Sequence, residues 1–285
     1  MLTRSHLDRT VQLALDEDAP WGDVTSEVFL PADATATAVL RAREPGVFAG
    51  GEAFATAFTL TDSATSVDLQ AAEGARFETG ETLATVDGPA RAVLRAERIG
   101  LNFCQRLAGI ATATRAFVDA VEPTGVRIVD TRKTTPGLRA LERHAIRCGG
   151  GHNHRFSLSD AVLVKDNHLA VLTSRGTSIT EAITSARRHL GHTTRIEVEV
   201  DRLDQIEPAI AGGADIIMLD NFDLAALREG VAVVAGRAIV EASGNVTLDT
   251  VRAIAQTGVD VISVGALTHR VRSLDLGLDV DVAAA

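Results

Sequence analysis

"RIEVEV", residues 195–200, alternates apolar and acidic side chains. Successive side chains of a β-strand point to opposite faces, so the isoleucine and the two valines face one way while Glu197 and Glu199 face the other. In an open sheet covered by helices on both sides, the acidic face would bury charges, each costing several kcal/mol unless paired. A barrel avoids this cost because its apolar face meets the helices and its acids line the interior. The stretch therefore favours a barrel, with an edge strand whose polar face is wet as the alternative.

The chain around this strand alternates short β-branched runs with amphipathic segments of helix length, a pattern typical of parallel α/β sheets. Six such strands are too few for the complete eight-stranded barrel. The predicted strands are residues 126–131, 161–166, 195–200, 215–220, 237–242 and 259–265, and the predicted helices between them are residues 137–148, 178–190, 202–211, 223–235 and 248–257.

The first part of the chain has a mixed pattern. A helix is predicted near residues 3–15, followed by strand-like runs broken by glycine and proline, and then by a long helix at 91–121. We therefore predict an α/β domain over residues 1–120, which includes the long linking helix, and a barrel domain over residues 121–285. The extreme C-terminus is free to pack back on the first domain.

The composition limits the partners of the protein. Its 285 residues carry a formal net charge of −10 with an isoelectric point near 5.3, which argues against binding to nucleic acid or to an anionic membrane surface. No apolar run approaches the ~20 residues of a membrane span, and the N-terminus does not resemble a signal peptide. The two cysteines, Cys104 and Cys148, are predicted to be small buried side chains. We expect a cytoplasmic protein without disulfides.

One segment of this acidic chain is strongly basic. Residues 132–155 contain nine Arg, Lys and His side chains against a single acid, Glu142. A helix with solvated arginines would explain Arg139, Arg143 and Arg147, which recur every four residues. It does not explain the flanking "TRK" and "HNHR", which have no helical period. The segment therefore indicates a site for a small anionic ligand.

Polar side chains gather where the predicted strands end. Parallel α/β folds bind ligands outside the carboxyl ends of their strands, so these side chains are expected to share one rim. Glu199 and Asp220 supply the carboxylates that Mg²⁺ prefers beside substrate phosphates. Cationic side chains on the same rim can hold carboxylates or phosphates through charged hydrogen bonds. They are Arg132, Lys133, His154, Arg155 and Lys165, and the two lysines are the only lysines of the chain.

Two glycine-containing turns follow the last two predicted strands. Backbone N–H groups at such turns and at helix N-termini bind phosphate, and barrels often hold phosphate at these two loops. The turns, Ser243-Gly244-Asn245 and Val264-Gly265-Ala266, are therefore predicted to receive phosphate.

"GGGHNHR", residues 149–155, has two interpretations. Zinc ligation by His152 and His154 is one, but structural zinc normally takes four ligands and the chain has no cysteine-rich partner motif. A mobile loop that delivers His154 and Arg155 is favoured, because glycine adopts backbone conformations closed to other residues. A GxGxxG fingerprint is missing after the first strand, which weakens a dinucleotide site.

Several motifs, taken in their order along the chain, resemble one known family. "DTRKTTPGLRALERHAIRCGGGHNHRFSLSDAVLVKDNH", which begins at Asp130, is followed by "EVEVD", "LDNF", "EASGNV" and "VGALTHR", and "LRAERIGLNFCQRLAGIAT" surrounds Arg98. Nearly end to end, this set resembles quinolinate phosphoribosyltransferase. The resemblance implies an N-terminal α/β sandwich followed by an incomplete, six-stranded parallel α/β barrel.

The resemblance also implies a reaction. Quinolinate would be joined to the ribose of 5-phosphoribosyl-1-pyrophosphate with Mg²⁺, releasing pyrophosphate and CO₂ and giving nicotinate mononucleotide for de novo NAD synthesis. A homodimer, or a larger homo-oligomer, is implied in which Arg98 reaches the partner subunit's site.

Residue roles follow from the resemblance as well. Lys133, Lys165, Glu199 and Asp220 would be catalytic, the two acids engaging ribose hydroxyls and magnesium. The implied quinolinate ligands are Arg98, Arg132, His154, Arg155 and Lys165; Thr131 and Lys133 would contact substrate, and Ser243, Gly244, Asn245, Val264, Gly265 and Ala266 would receive phosphate.

Two other functions match parts of this pattern. One is a paralogue of the same fold associated with molybdate uptake, and the other is a non-catalytic phosphate- or nucleotide-binding regulator built on a barrel. The complete carboxylate-binding set, together with Glu199 and Asp220, favours the enzyme over both.

Overall fold

The computed structural model describes residues 2–283 of the chain. They form two compact units, each assembled from separate segments. The sequence prediction places one boundary at residue 120 and lets only the extreme C-terminus pack back on the first domain. The first unit contains the chain up to Arg115, Thr134–Gly150 and the segment from Leu267 onward, and the second contains Ala116–Lys133 and Gly151–Ala266.

Helices and strands alternate along most of the described chain, and within residues 2–283 no helix combines the length and the apolar character that crossing a membrane requires. The helices are α1 (Arg4–Asp18), α2 (Val24–Phe29), α3 (Gly51–Thr61), α4 (Ala90–Val121), α5 (Arg139–Cys148), α6 (Asp166–Ser174), α7 (Ile179–His189), α8 (Ile206–Gly212), α9 (Leu224–Val234), α10 (Leu248–Ala255) and α11 (Ala266–His269), with 3₁₀ turns at Glu122–Thr124 and Leu203–Gln205. The strands are β1 (Thr35–Ala42), β2 (Gly46–Val47), β3 (Ser66–Leu69), β4 (Arg76–Phe77), β5 (Thr82–Pro89), β6 (Arg127–Val129), β7 (Val162–Val164), β8 (Ile196–Val200), β9 (Ile216–Asp220), β10 (Ile239–Ser243), β11 (Val261–Ser263) and β12 (Leu276–Ala283).

The first unit is built on a four-stranded antiparallel sheet with the strand order β12-β1-β5-β3. Its central strands bury small side chains against Phe54 and Phe58 of α3, whose ring centroids lie 4.8 Å apart. Because β12 pairs with β1 along its length, the C-terminal segment is part of this unit. The inward-facing residues of β1 follow the two-residue period of a strand and are Ala36, Ala38, Leu40 and Ala42.

Helix α5 belongs to the first unit through a buried ion pair. Glu142 is fully buried, and its Oε1 accepts hydrogen bonds from Nη2 and Nε of Arg106 at 2.6 and 3.0 Å. Arg106 lies on α4 and also donates to the backbone oxygen of Thr268 at 2.8 Å. Three separate parts of the sequence therefore meet around one guanidinium group, which explains why residues 134–150 group with the first unit.

The second unit contains a six-stranded parallel sheet with the strand order β6-β11-β10-β9-β8-β7. The first strand in sequence, β6, pairs with the last, β11, as in a closed barrel. The described residues show no pairing between β6 and β7, so the barrel is open at that one seam. Strand β8 has neighbours on both sides, which excludes the alternative of an edge strand.

The predicted fold class, an N-terminal α/β sandwich followed by a six-stranded incomplete α/β barrel, is confirmed. All six predicted strands of the barrel are present, each within a few residues of its expected bounds. Prediction is poorer in the first unit. The pattern of strand and turn expected there is wrong for helix α3, whose exposed face is only weakly polar because Glu52 is its one charged residue. Strand β12 is also not predicted by the pattern.

Candidate active site

The carboxyl ends of the six parallel strands lie at one edge of the sheet in the second unit. The strand register places Glu199 and Glu241 on either side of Met218, and Asp220 beside Ser243. The predicted cationic residues follow β6 and β7 at this same edge. Positive and negative side chains that are up to about a hundred residues apart in sequence are therefore brought to one rim, as expected for ligands of parallel α/β folds.

Three ionisable side chains, His154, Glu197 and Glu241, form what we call the interior cluster. Nε2 of His154 lies 3.1 Å from Oε2 of Glu197 and 3.6 Å from Oε2 of Glu241. Both glutamates are buried, with 4% and 3% of their surface exposed. The acidic face of β8 is therefore inside the unit, and it is partly neutralised by an imidazole.

The ring of His154 is bonded at both nitrogens. The backbone N–H of Arg155 donates to Nδ1 at 2.7 Å, so the neutral ring carries its proton on Nε2, which faces the carboxylates. The pKa of His154 lies above its ordinary value: burial alone would lower it, but the hydrogen bond to Glu197 and the charges of Glu241 and Glu197 outweigh burial. The imidazole thus fixes the backbone of Arg155 and partly neutralises two acids.

Glu241 is the least satisfied member of the interior cluster. Among the described residues, its Oε1 has no hydrogen-bond partner. Burial, and then the neighbouring charge of Glu197, raise its pKa to about 7, against the smaller opposing effect of His154. The carboxyl group is therefore poised to exchange a proton near neutral pH.

The segment that carries His154 is held along β6. The backbone N–H of His152 donates to the oxygen of Ile128 at 2.8 Å, and the N–H of Asp130 donates to the oxygen of His152 at 3.2 Å. The fully buried carboxylate of Asp130 then accepts hydrogen bonds from the side chain of Asn153 and the N–H of His154, both at 2.7 Å. The position of His154 and Arg155 thus depends on one buried aspartate.

Gly149, which precedes this segment, has a packing role in the first unit. A Cβ on Gly149 would lie 2.4 Å from the backbone oxygen of Ala111 and 2.6 Å from Cβ of Thr114, distances at which side chains do not pack. The sequence pattern favours a mobile loop for "GGG". In the structure, residue 149 must be glycine because neighbouring atoms leave no space for a side chain.

Two arginines of the rim are electrostatic neighbours. The pKa of Arg155 lies below its usual range because of burial and then the nearby charge of Arg132, with Glu197 and Asp160 opposing this shift. Nη1 of Arg155 donates to the backbone oxygen of Ala161 at 3.0 Å, which fixes the side chain. Two guanidinium groups held near each other favour the binding of an anion, which relieves their mutual repulsion.

Lys165 and Glu199 form an ion pair at the ends of β7 and β8. Nζ of Lys165 lies 2.5 Å from Oε2 of Glu199, and the lysine side chain is 44% exposed whereas the glutamate side chain is 12% exposed. The ammonium group is therefore anchored by an acid and remains accessible to a ligand.

The ends of β9 and β10 are joined by two asparagine side chains. The N–H of Asn221 donates to the oxygen of Ser243 at 2.9 Å, and Nδ2 of Asn245 donates to Oδ1 of Asn221 at 3.3 Å. Gly244 has a φ of +106°, and a Cβ there would lie 2.3 Å from Oδ1 of Asn221. Only glycine fits at this position. Asp220 accepts a hydrogen bond from its neighbour Asn221 at 2.6 Å, so the same turn orients the carboxylate.

The other predicted phosphate turn is partly engaged in the sheet. The N–H of Val264 donates to the oxygen of Val129 at 2.9 Å, and this extends the pairing of β11 with β6. In the loop after β6, the hydroxyl of Thr131 accepts the N–H of Lys133 at 3.1 Å, and the Lys133 side chain is exposed.

Arg98 lies in the first unit, exposed on α4. Its neighbours on the same helix face have structural partners: Arg91 donates to the oxygen of Leu30 at 3.2 Å through Nε, and Arg95 donates to the oxygen of Ala19 at 3.2 Å. Arg91 and Arg95 therefore hold the chain before β1.

Sequence reasoning placed Glu197 on the interior face of its strand, but it assigned no site role to Glu197, Glu241 or Asp130. All three are buried, at 4%, 3% and 0% exposure. The signal was available, because each is an acid within or just after an apolar strand, where an unpaired charge is costly. Their partners, however, come from a loop that the strand pattern does not locate.

The structure resembles solved enzymes over its whole length. NadC from Streptococcus pyogenes matches with a TM-score of 0.93 and 38% identity, over 100% of this chain and 99% of that one. The nicotinate-nucleotide pyrophosphorylase from Francisella tularensis matches with a TM-score of 0.91 and 36% identity, over 99% and 98% of the two chains. These matches, with the rim just described, define the class of protein as a pentosyltransferase.

The sequence comparisons identify the family. A model described as the C-terminal domain of quinolinate phosphoribosyl transferase matches residues 110–279, and the corresponding N-terminal model matches residues 23–127. A probable nicotinate-nucleotide pyrophosphorylase [carboxylating] of Bacillus subtilis (strain 168) is 43% identical over 93% of this chain and 90% of the relative, and the enzyme of Mycobacterium leprae (strain TN) is 41% identical over 95% and 96%. The chain belongs to the quinolinate phosphoribosyltransferase family, and the predicted family, enzyme class and function are confirmed.

Proposed function

We propose that the rim of the second unit carries out the family's reaction: phosphoribosyl transfer from 5-phosphoribosyl-1-pyrophosphate to the nitrogen of quinolinate, followed by loss of the ring C2 carboxylate as CO₂. The products are nicotinate mononucleotide and pyrophosphate. The observation that carries this proposal is the position of the Arg132–Arg155 pair and of the Lys165–Glu199 ion pair at the carboxyl ends of the strands of one parallel sheet.

The cationic side of the rim is the proposed quinolinate site. Arg132, Arg155 and Lys165 would hold the two carboxylates, since guanidinium groups match carboxylates bidentately and each charged hydrogen bond contributes about 1.5–3 kcal/mol. We assign His154 a positioning contribution, because both of its ring nitrogens are already bonded within the unit. Loss of CO₂ leaves an electron pair at ring C2, which the adjacent quaternised nitrogen stabilises before a proton replaces the carboxylate.

The acidic side of the rim is the proposed phosphoribosyl site. Departure of pyrophosphate develops positive charge at the ribose C1, and the carboxylates of Glu199 and Asp220 favour that charge. Lys133 and Thr131 after β6, together with the Ser243-Gly244-Asn245 and Val264-Gly265-Ala266 turns, would contact the phosphates. Of these positions, Gly244 has a φ of +106° and no side chain, which supports a close approach of phosphate to this turn.

The donor groups at the rim fit Mg²⁺. Mg²⁺ is bound by one or two carboxylates plus substrate phosphates and water, and Asp220 and Glu199 lie at the ends of neighbouring strands. The bound ion would neutralise the charge that builds up on the pyrophosphate leaving group. The contribution of the chain would be to hold these two carboxylates at the ends of neighbouring strands.

The proposal is tested by incubating the purified protein with quinolinate, 5-phosphoribosyl-1-pyrophosphate and Mg²⁺ and measuring nicotinate mononucleotide and CO₂. Nicotinate in place of quinolinate is the matched control, since it lacks the second carboxylate. We expect product only with quinolinate. Equal turnover of nicotinate would contradict the assignment of two carboxylate contacts.

We further propose a homodimer, in the reducing cytoplasm, in which exposed Arg98 of one subunit completes the rim of the partner. The two cysteines are free, which is consistent with such a compartment. Mixing Arg98→Ala with Lys165→Ala subunits tests the shared site. In a random mixture of two such variants, about a quarter of the sites combine two intact contributions, so about a quarter of the wild-type activity should return. No recovery after subunit exchange would show that Arg98 acts within its own chain.

A further inference from the structure

A second group of ionisable side chains lies in the first unit, outside the proposed active site. His144 and Cys148 are four residues apart on α5 and therefore share a face of the helix. Glu73, from the segment between β3 and β4, meets both of them. Its Oε2 lies 3.0 Å from Nε2 of His144 and 3.2 Å from Sγ of Cys148, and Sγ lies 3.4 Å from Nε2. One oxygen, one nitrogen and one sulfur thus form a small triangle.

We propose that Glu73, His144 and Cys148 bind one transition-metal cation of the Zn²⁺ class. Zn²⁺ lies about 2.0–2.3 Å from such ligands, so in a tetrahedral site the ligand atoms are about 3.4–3.6 Å apart. The three observed separations, 3.0, 3.2 and 3.4 Å, need to widen by only a few tenths of an ångström. The cation would replace the protons that now link the three groups.

The surroundings of Glu73 hold the carboxylate in the orientation that a metal ligand needs. Its Oε1 accepts the backbone N–H groups of Gly50 and Gly51, at 3.0 and 2.7 Å, at the N-terminus of α3. Such outer hydrogen bonds orient metal ligands in known sites. With Oε1 fixed in this way, Oε2 faces the imidazole and the thiol, and it also accepts the N–H of Gly50 at 3.2 Å.

The donor set and its exposure determine the kind of ion. A thiolate with an imidazole selects Zn²⁺ and similar soft or borderline ions, whereas Mg²⁺ prefers oxygen ligands only. The side chains of His144 and Glu73 are 33% and 25% exposed, so a cation can enter from solvent and keep water as a fourth ligand. A bound ion would connect α5 to the segment after β3 and stabilise the folded state.

Cobalt is the probe that tests this proposal, because a Co²⁺–thiolate bond produces a charge-transfer absorption band. The full-length protein is stripped of metal with a chelator and titrated with Co²⁺, and Zn²⁺ is then added as a competitor. We expect one Co²⁺ per chain, a thiolate band, and loss of the band when Zn²⁺ displaces Co²⁺.

The second cysteine of the chain provides the matched control. Cys148→Ser should abolish the band, whereas Cys104→Ala should keep it, because Cys104 is buried in the hydrophobic core of the first unit. Zn²⁺ should raise the melting temperature of the wild type and of Cys104→Ala but not that of Cys148→Ser. His144→Gln should weaken binding by more than the about 10- to 100-fold that loss of an outer-shell partner costs.

The outcomes separate a metal site from a hydrogen-bonded cluster that binds nothing. Absence of a thiolate band, or a band that survives in Cys148→Ser, overturns the proposal. If Cys148→Ser melts differently from the wild type in the presence of chelator, its fold is altered and the test rests on His144→Gln. Unchanged Co²⁺ affinity in His144→Gln then overturns the proposal.

Discussion

Each unit of this protein buries a glutamate beside a cation, but the two glutamates are satisfied to different extents. In the first unit, Oε1 of Glu142 accepts two hydrogen bonds from Arg106, and Oε2 accepts the N–H of Thr135 at 3.1 Å. In the second, Oε1 of Glu241 has no hydrogen-bond partner among the described residues, and Oε2 shares His154 with Glu197. Both carboxylate oxygens of Glu142 therefore have hydrogen-bond partners, whereas Glu241 competes with Glu197 for the imidazole of His154.

This difference in hydrogen bonding distinguishes a structural ion pair, at Glu142, from a candidate functional site, at Glu241. A buried charge with all its hydrogen bonds made holds elements together and has nothing further to bind. Two acids that share one imidazole leave negative charge inside the barrel, close to the arginines and the lysine of the rim. Perturbed groups of this kind cluster at functional sites.

The largest effect is expected from Arg106→Ala. The substitution leaves Glu142 fully buried without its cation, and breaking a buried pair in this way costs about 3–5 kcal/mol in the free energy of unfolding. Urea denaturation measures the loss. Adding Glu142→Gln to the same chain should recover part of it, because a neutral amide needs no cation. A loss below about 1 kcal/mol, as for an exposed pair, would show that the pair is not structural.

Glu241→Gln should change the dependence of stability on pH. The carboxyl pKa is raised in the folded state to about 7, so the proton is bound more tightly in the folded chain. Its stabilising contribution is complete below pH ~4.5 and is lost as the pH rises through about 7, by at most on the order of 3 kcal/mol. The glutamine variant should therefore be more stable than the wild type at pH 8 and similar to it at pH 4.5.

The groups that face Glu241 are Glu197, His154, Ser263 and Glu199, and they remain in the variant. Urea midpoints measured across this pH range provide the comparison. The same substitution at exposed Glu229 on α9 is the control and should leave the curve parallel to that of the wild type. Parallel curves for Glu241→Gln as well would refute the raised pKa.

Lys165→Ala should lower kcat/KM for quinolinate by about 10- to 150-fold, the equivalent of one charged hydrogen bond of about 1.5–3 kcal/mol. The melting temperature should change little, because the lysine side chain is 44% exposed. Steady-state kinetics with each substrate in turn locate the effect. Kinetics of Lys165→Arg show whether a positive charge alone is sufficient for quinolinate turnover, since a guanidinium is broader than an ammonium. Wild-type kinetics in Lys165→Ala would remove this residue from the site.

Gly244→Ala is expected to have the smallest effect, about 1–3 kcal/mol of strain, because a side chain must adopt a φ of +106° against Asn221. The strain should displace the turn that orients Asp220, and so raise the KM for 5-phosphoribosyl-1-pyrophosphate more than that for quinolinate. Gly236→Ala, also at positive φ but with open space around it, is the control for the backbone effect alone. Equal changes in both KM values would argue against a phosphate turn.

Sequence patterns alone predict much of the second unit and less of the first. The six barrel strands are predictable because each is a short β-branched run with polar residues at its carboxyl end. Lys165, Glu199 and Asp220 are expected at one rim for the same reason, and the structure places them there. Helix α3 escapes prediction because its exposed face carries a single charged residue, Glu52, and so gives only a weak amphipathic pattern. The role of Asp130 escapes prediction because its partners come from a distant loop.

Strand periodicity thus determined the fold class, and the order of the motifs determined the family. The same local patterns showed which charged residues lie at the ends of the strands. Only the tertiary structure decided which charges are matched. It paired Glu142 with Arg106, left Glu241 competing for His154, and brought Glu73 to the side chains of α5. The physical reason is that burial and partnership, which set the cost of a charge, depend on contacts between segments far apart in sequence.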